Sequence, residues 1–66
     1  MIRPMTLDGV RRRVSLGAKL YPLENGAAEI LGVRGGRVSG PNLRTLLHTG
    51  VVVWYDAGFW ARPLPT

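Results

Sequence analysis

The sequence predicts a small α+β domain with element order α-β-β-α-β-β and two β-hairpins. Three observations predict it. At 66 residues the chain supports one domain at most, because chains divide into domains only at far greater length. Two segments, Thr6 to Gly17 and Ser39 to Gly50, open on a hydroxyl residue suited to capping a helix and close on a glycine suited to ending one. Two turn sequences, Asn25-Gly26 and Asp56-Ala57-Gly58, break apolar stretches into hairpins.

The first helix starts after Thr6, with Asp8 in the first turn, where the helix dipole favours a negative charge. Met5, Leu7, Val10 and Val14 share one side, and Arg11, Arg12 and Arg13 fall largely on the other. Gly9 weakens this helix by ~1 kcal/mol relative to alanine. Ala18 to Glu24 reads as a strand and Ala27 to Val33 as its return. A two-residue type I′ turn at Asn25-Gly26 pairs Glu24 with Ala27, Leu23 with Ala28 and Tyr21 with Ile30. Pro22 has no N–H for a ladder, which makes the first strand an edge. Both faces of this hairpin carry apolar residues, the pattern of a hairpin covered on both sides.

Arg34-Gly35-Gly36-Arg37 reads as a loop. Ser39 then caps a short helix over Pro41 to Thr49, with Pro41 in the first turn, where its missing N–H costs nothing. Leu43, Leu46 and Leu47 form its buried stripe, and Asn42, Arg44, Thr45, His48 and Thr49 occupy the other faces. Val51 to Tyr55 is β-branched and aromatic throughout, and Phe59 to Arg62 returns. A three-residue turn sets Trp54 opposite Trp60 and Tyr55 opposite Phe59. Such aromatic pairs contribute ~0.2–1 kcal/mol each. The two Trp favour the face of Val52, Trp54, Trp60 and Arg62 as the one packed on the leucine stripe. Residues 1–66 thus form one domain, with 1–5 and 63–66 expected to be flexible ends.

Nine Lys and Arg against four Asp and Glu give a net charge of +5. All but Lys19 of the basic residues are arginine, whose planar fork suits phosphate and carboxylate. A basic surplus in a small chain points to an anionic partner, nucleic acid first. Catalysis is not expected. There is one histidine and no cysteine, the four acids are scattered, and Gly32-Val33-Arg34-Gly35-Gly36 lacks the Gly-Lys-Ser/Thr ending of a phosphate loop. No cofactor or metal is implied. The longest apolar run, Val51 to Tyr55, is far short of the ~20 residues that span a bilayer. Met1 to Met5 does not resemble a signal peptide, so a cytoplasmic location is expected.

The stretch Val38 to Trp60 resembles the recognition helix and wing of winged helix-turn-helix DNA-binding domains. Ser39, Leu43, Leu46, Gly50, Val51, Val52, Asp56, Gly58 and Trp60 occupy the matching places. The likeness covers about 25 residues, a pattern that other small helix–hairpin units share. A hairpin stands where the family has a further helix, so the resemblance is to a reduced form, in the style of small phage and prophage proteins. It implies a DNA-binding or transcription-regulating module. Asn42, Arg44, Thr45 and His48 would face the major groove, where Arg reads guanine and Asn reads adenine. Ser39 and the helix N-terminal amides would hold a phosphate. Arg34 and Arg37 would contact the backbone before the helix, Arg62 would belong to the wing, and Arg11, Arg12 and Arg13 would form a second backbone contact.

Each residue also has a plainer reading. His48 is then an exposed helix residue, Arg11–Arg13 a solvated helix face, and Trp54 and Trp60 core. The alternative function is a phage-type inhibitor or adaptor that binds a host enzyme, since Trp, Tyr and Arg dominate interface hot spots; a small structural or assembly component is a third. No membrane partner is implied. A homodimer through Val51–Tyr55 or Ala18–Leu23 would supply contact area that one module lacks.

Overall fold

The computed structural model describes residues 4–64. Its elements run α1 (Leu7–Ser15), β1 (Tyr21–Pro22), β2 (Ala28–Glu29), β3 (Arg37–Val38), α2 (Gly40–His48), β4 (Val53–Tyr55) and β5 (Phe59–Ala61). The α+β class and the two hairpins are present. The order gains a strand, β3, in a stretch the sequence assigned to loop and helix approach. Of the ends expected to be flexible, residues 1–3 and 65–66 lie outside the described residues. The Met5 amide donates to the Arg37 carbonyl at 2.9 Å and its side chain packs against the core.

Both helices are nine residues long and are closed at each end by the same chemistry. The Thr6 hydroxyl accepts the Gly9 amide at 3.2 Å, and the Ser39 hydroxyl accepts the Asn42 amide at 3.3 Å. At the C-terminus of α1, Gly17 donates to Val14 and Ala18 to Arg13, at 2.9 and 3.0 Å. At the C-terminus of α2, Gly50 donates to Leu47 and Val51 to Leu46, at 3.2 and 3.0 Å. This paired pattern satisfies the last carbonyls and needs a left-handed residue, supplied by Gly17 (φ 99°) and Gly50 (φ 74°). The caps matter because helices this short are marginal on propensity alone.

The first hairpin closes one residue differently from the expected register. Tyr21 pairs with Glu29 and Pro22 with Ala28. The Leu23 amide bonds the Ala27 carbonyl at 2.9 Å, so the loop is Glu24-Asn25-Gly26. A type I′ turn needs positive φ at both centres, yet only Gly26 has it, at 82°. Asn25 instead uses its side-chain oxygen to accept the Ala27 amide at 3.3 Å. The second hairpin has the expected register, with Trp54 opposite Trp60 and Tyr55 opposite Phe59. Its turn is closed by the Gly58 amide on the Tyr55 carbonyl at 2.9 Å.

The strands form an antiparallel sheet β1-β2-β3 and a separate pair β4-β5. One bridge joins them. The Leu20 amide donates to the Trp60 carbonyl at 2.7 Å, and the Trp60 amide returns to the Leu20 carbonyl at 2.8 Å. The next pair in that antiparallel register would set Pro22 opposite Gly58, and Pro22 has no N–H to give. The junction therefore stays a single bridge.

One face of this joined sheet is the core. Leu20, Ala28, Ile30, Val38 and Val52 form one cluster with Val10 and Val14 of α1 and Leu43 and Leu46 of α2. Two apolar expectations change. Leu47 is 39% exposed and lies outside the buried stripe, and Trp54 is 50% exposed. Trp60 alone of the two tryptophans packs against the core, with Trp54 edge-on to it at 5.0 Å. The first hairpin is covered on one side: Ala28 is buried, while Tyr21 and Glu29 face the other way and are half-buried.

Gly36 is not among the positive-φ glycines but has no room, because a Cβ there would lie 2.8 Å from the Ile30 carbonyl oxygen and 3.0 Å from that of Val33. Elsewhere a loop Gly→Ala change is stabilising when the backbone permits it. Gly36→Ala is expected to do the reverse and lower unfolding free energy by about 1–3 kcal/mol, read as a drop in the urea midpoint.

Candidate nucleic-acid interface

The outward face of α2 carries Pro41, Arg44, Thr45 and His48, all exposed, and with Leu47 they line one shallow surface. They stand there because Leu43 and Leu46 hold the opposite face in the core. Thr45 donates its hydroxyl to the Pro41 carbonyl at 3.1 Å, which fixes its rotamer and leaves its oxygen free to accept. Arg44 leans toward the helix N-terminus, with one guanidinium nitrogen 3.9 Å from the position a Cβ on Gly40 would take. Asn42 is half-buried on the flank of this face.

The N-terminus of α2 is mostly spent on its own cap. Pro41 has no N–H, the Asn42 amide is held by the Ser39 side chain, and the Leu43 amide bonds the Ser39 carbonyl at 2.9 Å. Gly40 is left as the first-turn residue whose amide neither helix nor cap uses, and the Gly26 carbonyl oxygen lies 3.4 Å from its Cβ position. Ser39 keeps its hydroxyl proton to donate. An anion at this end would thus meet Gly40, Ser39 and Arg44 rather than a full ring of amides.

The other arginines are distributed differently from the expected grouping. Arg37 lies on β3 next to Val38, and because Val38 points into the core, Arg37 points out of the opposite face of the sheet. It stands opposite Glu29 there, away from α2. Arg34 is exposed in the turn closed by the Gly36 amide on the Val33 carbonyl at 3.1 Å. Arg62 does not extend a wing beside α2. Its guanidinium donates to the Ser15 carbonyl at 2.8 Å, and it shares a depression with Arg11, Arg12 and Val51. Tyr55 holds the same residue from behind, donating its hydroxyl to the Arg62 carbonyl at 2.7 Å. Arg13 turns to another side, next to Lys19, Tyr21 and the exposed Leu16 and Leu31.

Three basic groups result: Arg44 with His48 on α2, Arg11 and Arg12 with Arg62 at the end of α1, and Arg13 with Lys19 beside the sheet. Among the described residues, no group of His, Cys, Asp and Glu could hold a metal ion, and no helix is long and apolar enough to cross a membrane. Comparison of the chain with protein-family models, with curated proteins and with solved structures finds no match.

One feature of the surface, away from α2, is not legible in the sequence. Tyr21, Phe59 and Tyr55 form a continuous row of rings, with centroids 5.8 and 5.4 Å apart. The turn sequence pairs Tyr55 with Phe59, but only the Leu20–Trp60 bridge sets Tyr21 beside them, and no local pattern announces that bridge.

Arg62 both carries charge and ties β5 to a helix C-terminus, where cations are favoured. Replacing it should therefore cost stability. Arg62→Ala is expected to lower unfolding free energy by about 0.5–1.5 kcal/mol, measured by urea titration, with the α2 surface unchanged.

Proposed function

We propose that the chain is a small duplex DNA-binding module of reduced winged-helix type, acting in the cytoplasm as a transcriptional regulator. The observation that carries this reading is the outward face of α2. A capped helix, pinned by Leu43 and Leu46, presents Arg44, Thr45 and His48 together, and a glycine-led hairpin follows it. In this reading α2 enters the major groove. Arg44 takes a guanine edge, with a discrimination of about 1–3 kcal/mol. Asn42, on the flank, reaches an adenine, while Thr45 and His48 make further polar contacts. Ser39 and Gly40 take a phosphate at the helix start, and Arg11, Arg12 and Arg62 hold the backbone from the neighbouring basic group. Arg34 adds charge from its turn. Arg37, on the far face of the sheet, takes no part in this contact.

A protein-binding role is favoured by different residues, the exposed Trp54, Leu47 and Val53. Tryptophan anchors dominate protein interfaces. An adaptor of that kind would be captured with its partner after nuclease treatment, and Trp54→Ala would release it.

Duplex binding titrated against salt tests the main reading. Five or six phosphate contacts predict a slope of log K on log salt of about −4.5 to −5.4, from −0.9 per contact. Arg44→Ala is expected to weaken binding about 5- to 150-fold at the preferred site and to relax one base position. Absence of duplex binding at low salt would overturn the proposal. An unchanged affinity in Arg44→Ala would remove α2 as the reader.

A further inference from the structure

We infer that the face of the sheet opposite the helices is a binding surface for single-stranded nucleic acid. The inference stands apart from the reading of α2, because it uses the other side of the sheet. Five side chains form one row across all five strands. Arg37 stands opposite Glu29, Glu29 opposite Tyr21, Tyr21 beside Phe59 through the Leu20–Trp60 bridge, and Phe59 opposite Tyr55. The inward neighbours of these residues, including Leu20, Ala28 and Val38, belong to the helix-covered core. Strand alternation therefore turns the whole row away from the helices.

Three consecutive members are aromatic, and all three remain partly accessible. Phe59 and Tyr55 lie nearly parallel, with planes 24° apart, and Tyr21 is tilted 54° to Phe59. Adjacent rings on an open sheet are what unpaired bases stack on, independently of sequence, since every base has a π-face. The charge around the rings suits the same occupant. Lys19 sits with its ammonium 4.9 Å from the Phe59 ring centroid, Arg13 lies next to Lys19 and Tyr21, and Arg37 ends the row. One carboxylate, Glu29, faces Arg37 across the strand pair, so the net charge of the group is positive. A duplex cannot use this surface, because its bases are already stacked and paired. A single strand can lay its bases on Tyr21 and Tyr55 and its phosphates toward Lys19, Arg13 and Arg37.

The test is fluorescence anisotropy with a labelled oligothymidylate about ten nucleotides long, on the intact chain, with far-UV circular dichroism to verify folding. Wild-type protein is expected to bind with a salt slope of about −2, from three phosphate contacts at −0.7 each. Tyr21→Leu is expected to weaken binding about 5- to 150-fold, and Tyr21→Phe to restore it. Lys19→Gln, at an exposed position, is expected to reduce both affinity and the slope while leaving the fold intact. Arg44→Ala should bind the single strand as wild type does, whatever it does to duplex binding. Unchanged affinity in folded Tyr21→Leu and Lys19→Gln would overturn the inference. So would loss of single-strand binding in Arg44→Ala, which would place the strand on α2. A dimer that Tyr21→Leu breaks, with no oligonucleotide binding, would assign the face to a second copy and overturn it as well.

Discussion

A single residue pair, Leu20 with Trp60, joins the two sheets of this chain into one surface. Its strands are only two or three residues long, and an isolated hairpin of such strands is marginal in water. The two reciprocal bonds between Leu20 and Trp60 join the hairpins into a continuous surface. Leu20 is completely buried and is among the largest side chains in the core. The pair thus combines a backbone junction with the packing contact that hides it from water. Pro22 limits the junction to one bridge, so register between the hairpins is set at a single point.

That point decides which way the neighbouring side chains face. With Leu20 inward, Tyr21 must point outward, and pairing with Trp60 sets it beside Phe59. Val38 inward likewise sends Arg37 outward. A domain this size buries only about 60% of its unfolded surface and has no disulfide to help. Here the largest fully buried side chains, from Val10 to Val52, are drawn from both helices, from β3 and from the residues just before β1 and β4, and meet in one cluster. Among the described residues, no polar or charged one is spent inside it. The described basic side chains consequently lie at the surface, most of them in three groups, with Arg34 in its turn and Arg37 on β3 standing apart.

What was legible in the sequence follows from how local each determinant is. Both helices could be read nearly to the residue, because Thr6, Ser39, Gly17 and Gly50 act within a turn of the ends they close. The second hairpin was legible in full register, since Asp56-Ala57-Gly58 matches a three-residue loop. The first hairpin lies one residue from the register its turn sequence predicts. Asn25-Gly26 favours a two-residue turn, but Asn25 bonds through its side chain and the loop takes in Glu24. Strand β3 was invisible because two residues become a strand only when β2 lies beside them. The face of α2 was legible from helical spacing, which put Arg44, Thr45 and His48 on the correct side. The directions of Arg37 and Arg62 are not legible in the sequence, since they depend on β3 and on a contact with Ser15 that lies 47 residues away in sequence. Leu47 and Trp54 look like core residues by type, yet α2 buries only Leu43 and Leu46, and Trp60 takes the place against the core on the second hairpin.

Amide hydrogen exchange at Leu20 and Trp60 tests this account most directly, because exchange reports the opening that frees each bond. If the bridge unites the fold, both amides exchange at the slowest rate in the molecule, together with core amides such as Ile30 and Leu46, and at the free energy of global unfolding. Exchange of Leu20 and Trp60 at markedly lower free energy, with Ile30 and Leu46 still protected, would contradict it and show two hairpins that move independently over the helices.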